Sequence, residues 1–175
     1  MILLSVASNI LNVSANEPEP KPTTTYSIEY IDPEQQQLEW CFIYSNLLGF
    51  QIDYIANPRL FEQIGKWMEI RQSHNQDEES IIDCSGVVSH IYRHVYGKEL
   101  KGNVKDIYKQ IRSVRRDELR EGDLLFFSSK TTRISEVGIF LGNNKFAHAG
   151  TQSGLVISNL DDKQFADRYQ DGGRP

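Results

Sequence analysis

The stretch Ile82-Asp83-Cys84-Ser85-Gly86-Val87-Val88 contains the most informative residue of this chain, Cys84. Apolar residues follow it at helical spacing and Gly97 is a helix stop, so the pattern predicts a helix that begins at Cys84. These apolar residues are Val87, Val88, Ile91, Tyr92 and Val95. Free backbone N–H groups and the helix dipole lower the pKa of a cysteine in a first helical turn. The segment therefore predicts a nucleophilic thiol, although it fits a small buried residue equally well.

The residues that follow predict a β-sheet. Residues 119–127 form a turn that leads into an apolar strand, and residues 136–149 have the pattern of a β-hairpin around Asn143-Asn144. Strands are expected at residues 123–127, 137–141, 145–149 and 155–159. The chain thus carries a cysteine on a helix, followed by a sheet that carries His148.

Several helices are predicted on either side of Cys84. Asp32-Pro33 and Asn57-Pro58 each supply an N-cap with proline at the first helical position, which predicts two helices of about a dozen residues. The second has an apolar stripe that should pack on the Cys84 helix, formed by Leu60, Phe61, Ile64, Trp67 and Met68. Asn103 should cap a further short helix. Helices followed by strands predict an α+β domain, with the helices packed on a central antiparallel sheet.

With these motifs the chain resembles the NlpC-type bacterial cell-wall peptidases, papain-like cysteine enzymes that cut the stem peptides of peptidoglycan. The resemblance covers roughly the last two-thirds of the chain and rests on DCSG, EGDLLFF, VGIFLGNNKFAHAG, GLVISNL and RYQDGGRP. It implies a papain-like fold with Cys84 as the nucleophile at a helix N-terminus. The implied reaction is cleavage of the bond between γ-D-glutamate and the diamino acid of the stem peptide, with no metal and no organic cofactor.

The chain departs from the family at the position of the catalytic base. The family places its general-base histidine directly before the Val-Gly-Ile stretch, and this chain has Glu136 there. The polar group that orients the base corresponds to His148. An imidazole takes the proton of a neighbouring cysteine, whereas an ionised glutamate repels a thiolate and raises the thiol pKa. The substitution therefore opposes activation of Cys84.

The approach to the nucleophile has also changed. The family usually has a Tyr-x-Tyr-Gly-Gly run here, which helps to form the substrate cleft, and this chain has Gln72-Ser73-His74-Asn75-Gln76. His74 falls where a tyrosine would stand near the nucleophile. We expect His74, together with Asp83 and Ser85 on either side of Cys84, to line the cleft.

Three interpretations of the site are compatible with the sequence. In the first, the protein is an active peptidase in which His148 or His74 is the base and Glu136 orients it. In the second, it is a pseudoenzyme that binds peptidoglycan peptides or a cell-wall protein. In the third, Glu136 is an exposed residue at the start of a strand and the site has decayed. A transferase or thioesterase that uses the same cysteine and histidine is a further class, because fold does not fix function.

The register of the hairpin decides whether Glu136 and His148 can share a site. A two-residue turn with unbroken pairing puts Ile139 opposite His148, which leaves Glu136 and His148 on opposite faces. A bulge or a three-residue loop shifts the register by one residue and brings both to the same face. The resemblance implies this second geometry.

The remaining cysteine and histidines have ordinary explanations. Cys41 lies in an apolar helical run and is predicted to belong to the core rather than to a disulfide with Cys84. His90 and His94 are four residues apart, a spacing that can present two metal ligands. No third ligand accompanies them in the sequence, so we predict solvated or structural histidines. We therefore predict no metal site.

Composition and the N-terminal segment limit the class of protein. A chain of 175 residues, 39% of them hydrophobic, buries one core, and a net charge of −5 argues against nucleic acid as a partner. Residues 1–22 resemble a secretory signal followed by a linker but lack its basic n-region, so a signal and a peripheral segment are both compatible with them, and they are too short and polar to span a membrane. Residues 23–175 are predicted to form one NlpC-type domain with a helical extension at about 32–72. Export to the periplasm or envelope would suit the expected partners, peptidoglycan stem peptides or a cell-wall protein.

Overall fold

The computed structural model describes residues 32–72, 84–129, 133–150 and 154–175. Asp32–Pro175 forms one compact unit. The predicted signal and linker at residues 1–22 lie outside the described residues. Among the helices described, none is both long enough and apolar enough to cross a bilayer.

In the described ranges, four helices precede most of the sheet: α1 (Pro33–Leu48), α2 (Pro58–Gln72), α3 (Cys84–Tyr96) and α4 (Val104–Tyr108). The predicted caps are confirmed. Asp32 Oδ1 accepts a hydrogen bond from Glu34 N at 3.1 Å, and the Asn103 side chain accepts from two backbone N–H groups of α4. Helix α1 has 16 residues, more than the predicted dozen, because it continues to Gly49, which adopts the left-handed conformation at φ 75°.

Six strands of the described residues form one antiparallel sheet in the order β1-β6-β2-β3-β4-β5. They are β1 (Arg112–Val114), β2 (Leu124–Ser128), β3 (Ile134–Gly142), β4 (Lys145–Gly150), β5 (Gly154–Asn159) and β6 (Tyr169–Arg174). The predicted α+β class and the four predicted strands are confirmed. Strands β1 and β6, a 3₁₀ turn at Arg116–Glu118 and the short helix α5 (Lys163–Ala166) were not predicted, because they are short and lack an apolar alternation.

The β3–β4 hairpin combines a two-residue turn with a bulge. Asn143 and Asn144 form the turn with φ values of 49° and 56°. Gly142 pairs with Lys145, but the next pair is Phe140 with Phe146, so Leu141 is the extra residue of a bulge. His148 is therefore opposite Gly138, and Glu136 and His148 are on the same face. The predicted bulge geometry is confirmed.

The sheet separates two apolar clusters. The first lies between the helices and one face of the sheet, and its strand members include Leu124, Phe126, Val137, Ile139, Leu141, Ala147 and Leu155. The second lies on the opposite face and consists of Leu125, Phe127, Phe140, Phe146, Leu160 and Phe165. Helix α3 contributes Val87, Val88 and Ile91 to the first cluster. The predicted core position of Cys41 is confirmed, since Cys41 is only 8% exposed and packs in the first cluster.

Candidate active site

Cys84 is the first residue of α3 and is half-buried against the first cluster. Its Sγ lies 3.9 Å from the carbonyl oxygen of Ala149, near the end of β4. Ser85 is almost fully buried beside it, with 2% of its surface exposed, so the prediction that it lines the substrate cleft is wrong. The predicted cleft residues His74 and Asp83 lie outside the described residues. Cys41 and Cys84 are both free thiols.

Glu136 and His148 lie on neighbouring strands and face each other. His148 Nδ1 is 3.4 Å from Glu136 Oε1, and the exposed fractions of the two side chains are 7% and 20%. This separation is long for a hydrogen bond, so the contact is chiefly electrostatic. Gly138 lies directly opposite His148 in the register, and a Cβ there would come within 2.9 Å of Ala147 O. A glycine is therefore required for β4 to approach β3 at this point.

Two further residues complete this polar group, and neither was predicted from the sequence. Arg168, between α5 and β6, donates from Nη1 to Glu136 Oε2 at 2.8 Å. The Ser158 hydroxyl on β5 lies 2.9 Å from His148 Nε2. If Nδ1 carries the proton towards the carboxylate, Nε2 accepts from Ser158. Alternation along GLVISNL could have indicated Ser158, because it pairs with Phe146 and lies on the face of His148. No sequence signal indicates Arg168.

The imidazole of His148 is held in place by aromatic rings of the second cluster. It stacks on Phe146 with a centroid distance of 5.0 Å and meets the edge of Phe165, also at 5.0 Å. His148 and Glu136 alternate with Ala147 and Val137, which pack in the first cluster with α3. The side chains of His148 and Glu136 therefore leave the sheet on the face opposite to the apolar stripe of α3.

The structure thus brings Glu136 and His148 together. Glu136 and Ser158 lie against the two ring nitrogens of His148. The Cys84 thiol contacts the backbone of Ala149, the residue after His148.

The surroundings of Glu136 keep its carboxylate ionised. The pKa of Glu136 is below its usual value, because His148 faces one carboxylate oxygen and the Arg168 guanidinium binds the other. Partial burial acts in the opposite direction and is the weaker effect. An ionised Glu136 with both oxygens engaged is a link between β3, β4 and the turn before β6.

This link predicts a loss of stability in acid. A carboxylate with a lowered folded-state pKa stabilises the fold fully above its unfolded pKa of about 4.3, and the contribution is lost as the pH falls through the folded pKa. Glu136→Gln should therefore lower the free energy of unfolding by about 1 kcal/mol at pH 7, a modest value because Arg168 is one-third exposed. Urea denaturation of both proteins between pH 7 and pH 3 should show this difference shrinking in acid. A difference independent of pH would contradict the assignment.

The two histidines of α3 form a separate pair. The His90 and His94 rings stack at a centroid distance of 4.0 Å, and the His90 ring meets the edge of Trp67 at 5.3 Å. Burial, and then the neighbouring His94 and Arg93, lower the pKa of His90. In the described ranges, no three His, Cys, Asp or Glu side chains are grouped so that they could hold a metal ion.

A helix that begins with a cysteine and packs on an antiparallel sheet defines an α+β domain of the papain-like class. The neighbouring strands β3, β4 and β5 carry the polar group of Glu136, His148 and Ser158. The chain belongs to the NlpC/P60 family, whose family model matches residues 70–174.

Several known proteins are similar to this chain. The Escherichia coli K12 protein named murein DD-endopeptidase MepS/murein LD-carboxypeptidase is 35% identical over 119 residues, which cover 68% of this chain and 63% of that protein. A Haemophilus influenzae protein named probable endopeptidase NlpC homolog is 33% identical over 120 residues, covering 69% of this chain and 63% of that protein. The chain therefore spans less than two-thirds of the length of either relative.

Solved structures support the same fold. A lipoprotein-like NLP/P60 family protein from Staphylococcus aureus matches with a TM-score of 0.55 and 22% identity, over 72% of this chain and 45% of that one. At this identity the similarity concerns the fold alone. The predicted resemblance to the NlpC-type family is confirmed by the family match and the curated relatives.

Proposed function

We propose that this protein acts outside the cytoplasm, in the periplasm or envelope, where it binds the peptide part of peptidoglycan without cleaving it efficiently. Membership of a family whose relatives are named murein endopeptidases supports the ligand class. The observation that carries the loss of cleavage is the Glu136 carboxylate, which stands in the position of the family's base and is bound by Arg168.

The chemistry of Glu136 makes it a poor base for a thiol. A cysteine has a pKa of about 8.5 and an unperturbed glutamate one of about 4.3, so proton transfer between them is uphill by about 6 kcal/mol. The lowered pKa of Glu136 increases this cost. His148 is the alternative base, but its nitrogens face Glu136 and Ser158. Efficient activation of Cys84 would require a rearrangement of this group.

An active peptidase is the second candidate, and the position of Cys84 at the start of α3 favours it. In this version Cys84 attacks the carbonyl of the bond between γ-D-glutamate and the diamino acid. The backbone N–H of Cys84 helps to hold the oxyanion, and His148 moves the proton with Glu136 as its partner. His74 and Asp83 would contact the stem peptide in both versions.

Defined muropeptides distinguish the two candidates. We expect the wild type to bind a muropeptide in isothermal titration calorimetry and to release no product detectable by mass spectrometry. Cys84→Ala should bind with unchanged affinity, because the thiol takes no part in a reaction. Product release by the wild type that Cys84→Ala abolishes would show that the protein is a peptidase with an unconventional base.

A third variant identifies the cause of inactivity. If Glu136→His cleaves muropeptides and the Cys84→Ala/Glu136→His double variant does not, the missing base alone explains why the wild type does not cleave them. If Glu136→His binds but does not cleave, the position of Cys84 has diverged as well. Absence of binding by the wild type would remove peptidoglycan peptides as the ligand and favour a cell-wall protein partner.

A further inference from the structure

A cavity of about 610 Å³ lies at the edge of the sheet, bounded by β1, the 3₁₀ turn and β6. Three arginines, Arg112, Arg120 and Arg174, contribute to its lining together with the carboxylates of Asp117 and Glu118. Strand β1 is separated from β3 by β6 and β2. The strand register places the cavity near the Phe140 end of β3, away from Glu136. The cavity is therefore distinct from the candidate active site.

One wall of the cavity is held by a buried carboxylate. Asp123, whose side chain is 2% exposed, accepts from Arg174 Nε and Nη2, each at 2.7 Å. The same carboxylate accepts from the backbone N–H of Arg120 at 2.8 Å. A two-bond arginine–carboxylate pair fixes the guanidinium plane. Asp123 therefore positions both Arg174 and the backbone from which the Arg120 side chain extends.

The positive charge at this cavity is only partly compensated. Arg112 and Arg174 are direct partners in the β1–β6 ladder, and like charges directly opposite each other destabilise a strand pair. The Asp123 carboxylate already forms an ion pair with Arg174. Within the residues that the structure describes, the guanidinium groups of Arg112 and Arg120 make no ion pair shorter than 4.0 Å.

The acidic side chains of the lining do not remove this excess. Arg115 Nη2 binds the Asp117 carboxylate at 2.8 Å, so Asp117 is neutralised from outside the arginine group. Glu118 remains as an opposing charge on the lining. Three arginines of the lining therefore face two carboxylates, one of which is already paired with Arg115. The lining keeps an excess of positive charge in a chain whose net charge is −5.

We propose that this cavity binds an oxyanion, either a carboxylate or a phosphate group, between Arg112, Arg120 and Arg174. Planar guanidinium groups match both anions through paired hydrogen bonds. A bound oxyanion would offset the repulsion between Arg112 and Arg174 and would pair with the guanidinium groups of Arg112 and Arg120, which have no ion pair among the described residues. This inference goes beyond the proposed function and does not depend on peptide binding at the candidate active site.

Isothermal titration calorimetry at constant ionic strength in chloride buffer tests the proposal, with inorganic phosphate and N-acetyl-D-glutamate as separate probes. Arg112→Gln and Arg120→Gln should each weaken binding about tenfold, as expected for the loss of a charged hydrogen bond. Glu118→Gln should strengthen binding, because it removes the opposing charge. The relative affinity for the two probes shows which oxyanion the site prefers.

Lys163→Gln is the matched control, because Lys163 is an exposed cation that is already paired with Asp167, directly after α5. It should leave the affinity for both anions unchanged. Equal binding by the wild type and the Arg112→Gln/Arg120→Gln double variant, with unchanged melting temperatures, would overturn the proposal. Wild-type affinity for neither probe at millimolar concentration would also overturn it. Muropeptide binding measured on the same variants separates this result from a failure of the proposed function.

Discussion

Phe146→Ala is expected to lower the free energy of unfolding by about 3–5 kcal/mol, the largest effect of any single side chain considered. Phe146 is fully buried, and its ring contacts Phe127, Phe165 and His148 at centroid distances of 5.0 Å each. Its removal leaves a cavity between β4 and α5 that these rigid aromatic neighbours fill poorly. Urea denaturation with a fixed slope between the two proteins measures the loss.

The same substitution should release His148, whose imidazole stacks on Phe146. Phe146→Leu is the control, because it retains most of the apolar volume but not the stacked ring. It should be clearly less destabilising than Phe146→Ala. A loss below 1 kcal/mol in Phe146→Ala would show that the second cluster is loosely packed and that His148 is positioned mainly by Ser158 and Glu136.

Asp123→Ala should lower the free energy of unfolding by about 3 kcal/mol. The substitution leaves Arg174 without its carboxylate and the Arg120 N–H without its acceptor. Breaking a buried ion pair costs more than the pair contributes, because the remaining charge is left unpaired. Arg174 is 35% exposed and regains some hydration, so the loss should lie at the lower end of the range for such pairs.

A double-mutant cycle separates the ion pair from the rest of this effect. If the two side chains act as a pair, Asp123→Ala combined with Arg174→Ala should destabilise the protein less than the sum of the two single substitutions. Additive losses in urea denaturation would show that Asp123 acts mainly through the backbone of Arg120. The result also bears on the oxyanion cavity, whose wall Asp123 holds.

Glu136 has a structural role in this chain. Glu136 contacts His148 on β4 and Arg168 before β6, so one carboxylate joins three segments that are distant in sequence. Arg168 also lies over the Phe165 ring at 5.4 Å, which ties the guanidinium to the second cluster. A histidine at position 136 would leave Arg168 without this partner. Glu136 and Arg168 therefore act as one structural pair.

Much of the secondary structure could be predicted from local sequence. The caps at Asp32 and Asn103, the apolar stripe after Cys84 and the Asn143-Asn144 turn act through neighbouring residues, and the structure contains each of them. Strand β6 could not be predicted in the same way. Its sequence YQDGGR has no apolar alternation, and it is a strand because β1 and β2 pair with it on both sides.

Some features of the candidate site also follow from local sequence, and others depend on the tertiary structure. The sequence by itself determined that a cysteine begins a helix, because this follows from residue identity and local pattern, whereas the place of Glu136 at the position of the family's histidine is what the resemblance implies. Only the tertiary structure decided that the bulge at Leu141 puts Glu136 and His148 on one face. It also decided that Arg168 and Ser158 complete the polar group, since both approach through strand pairing and chain reversal that no local pattern encodes. Register and long-range charge pairing depend on the whole sheet, which is why they required the folded protein.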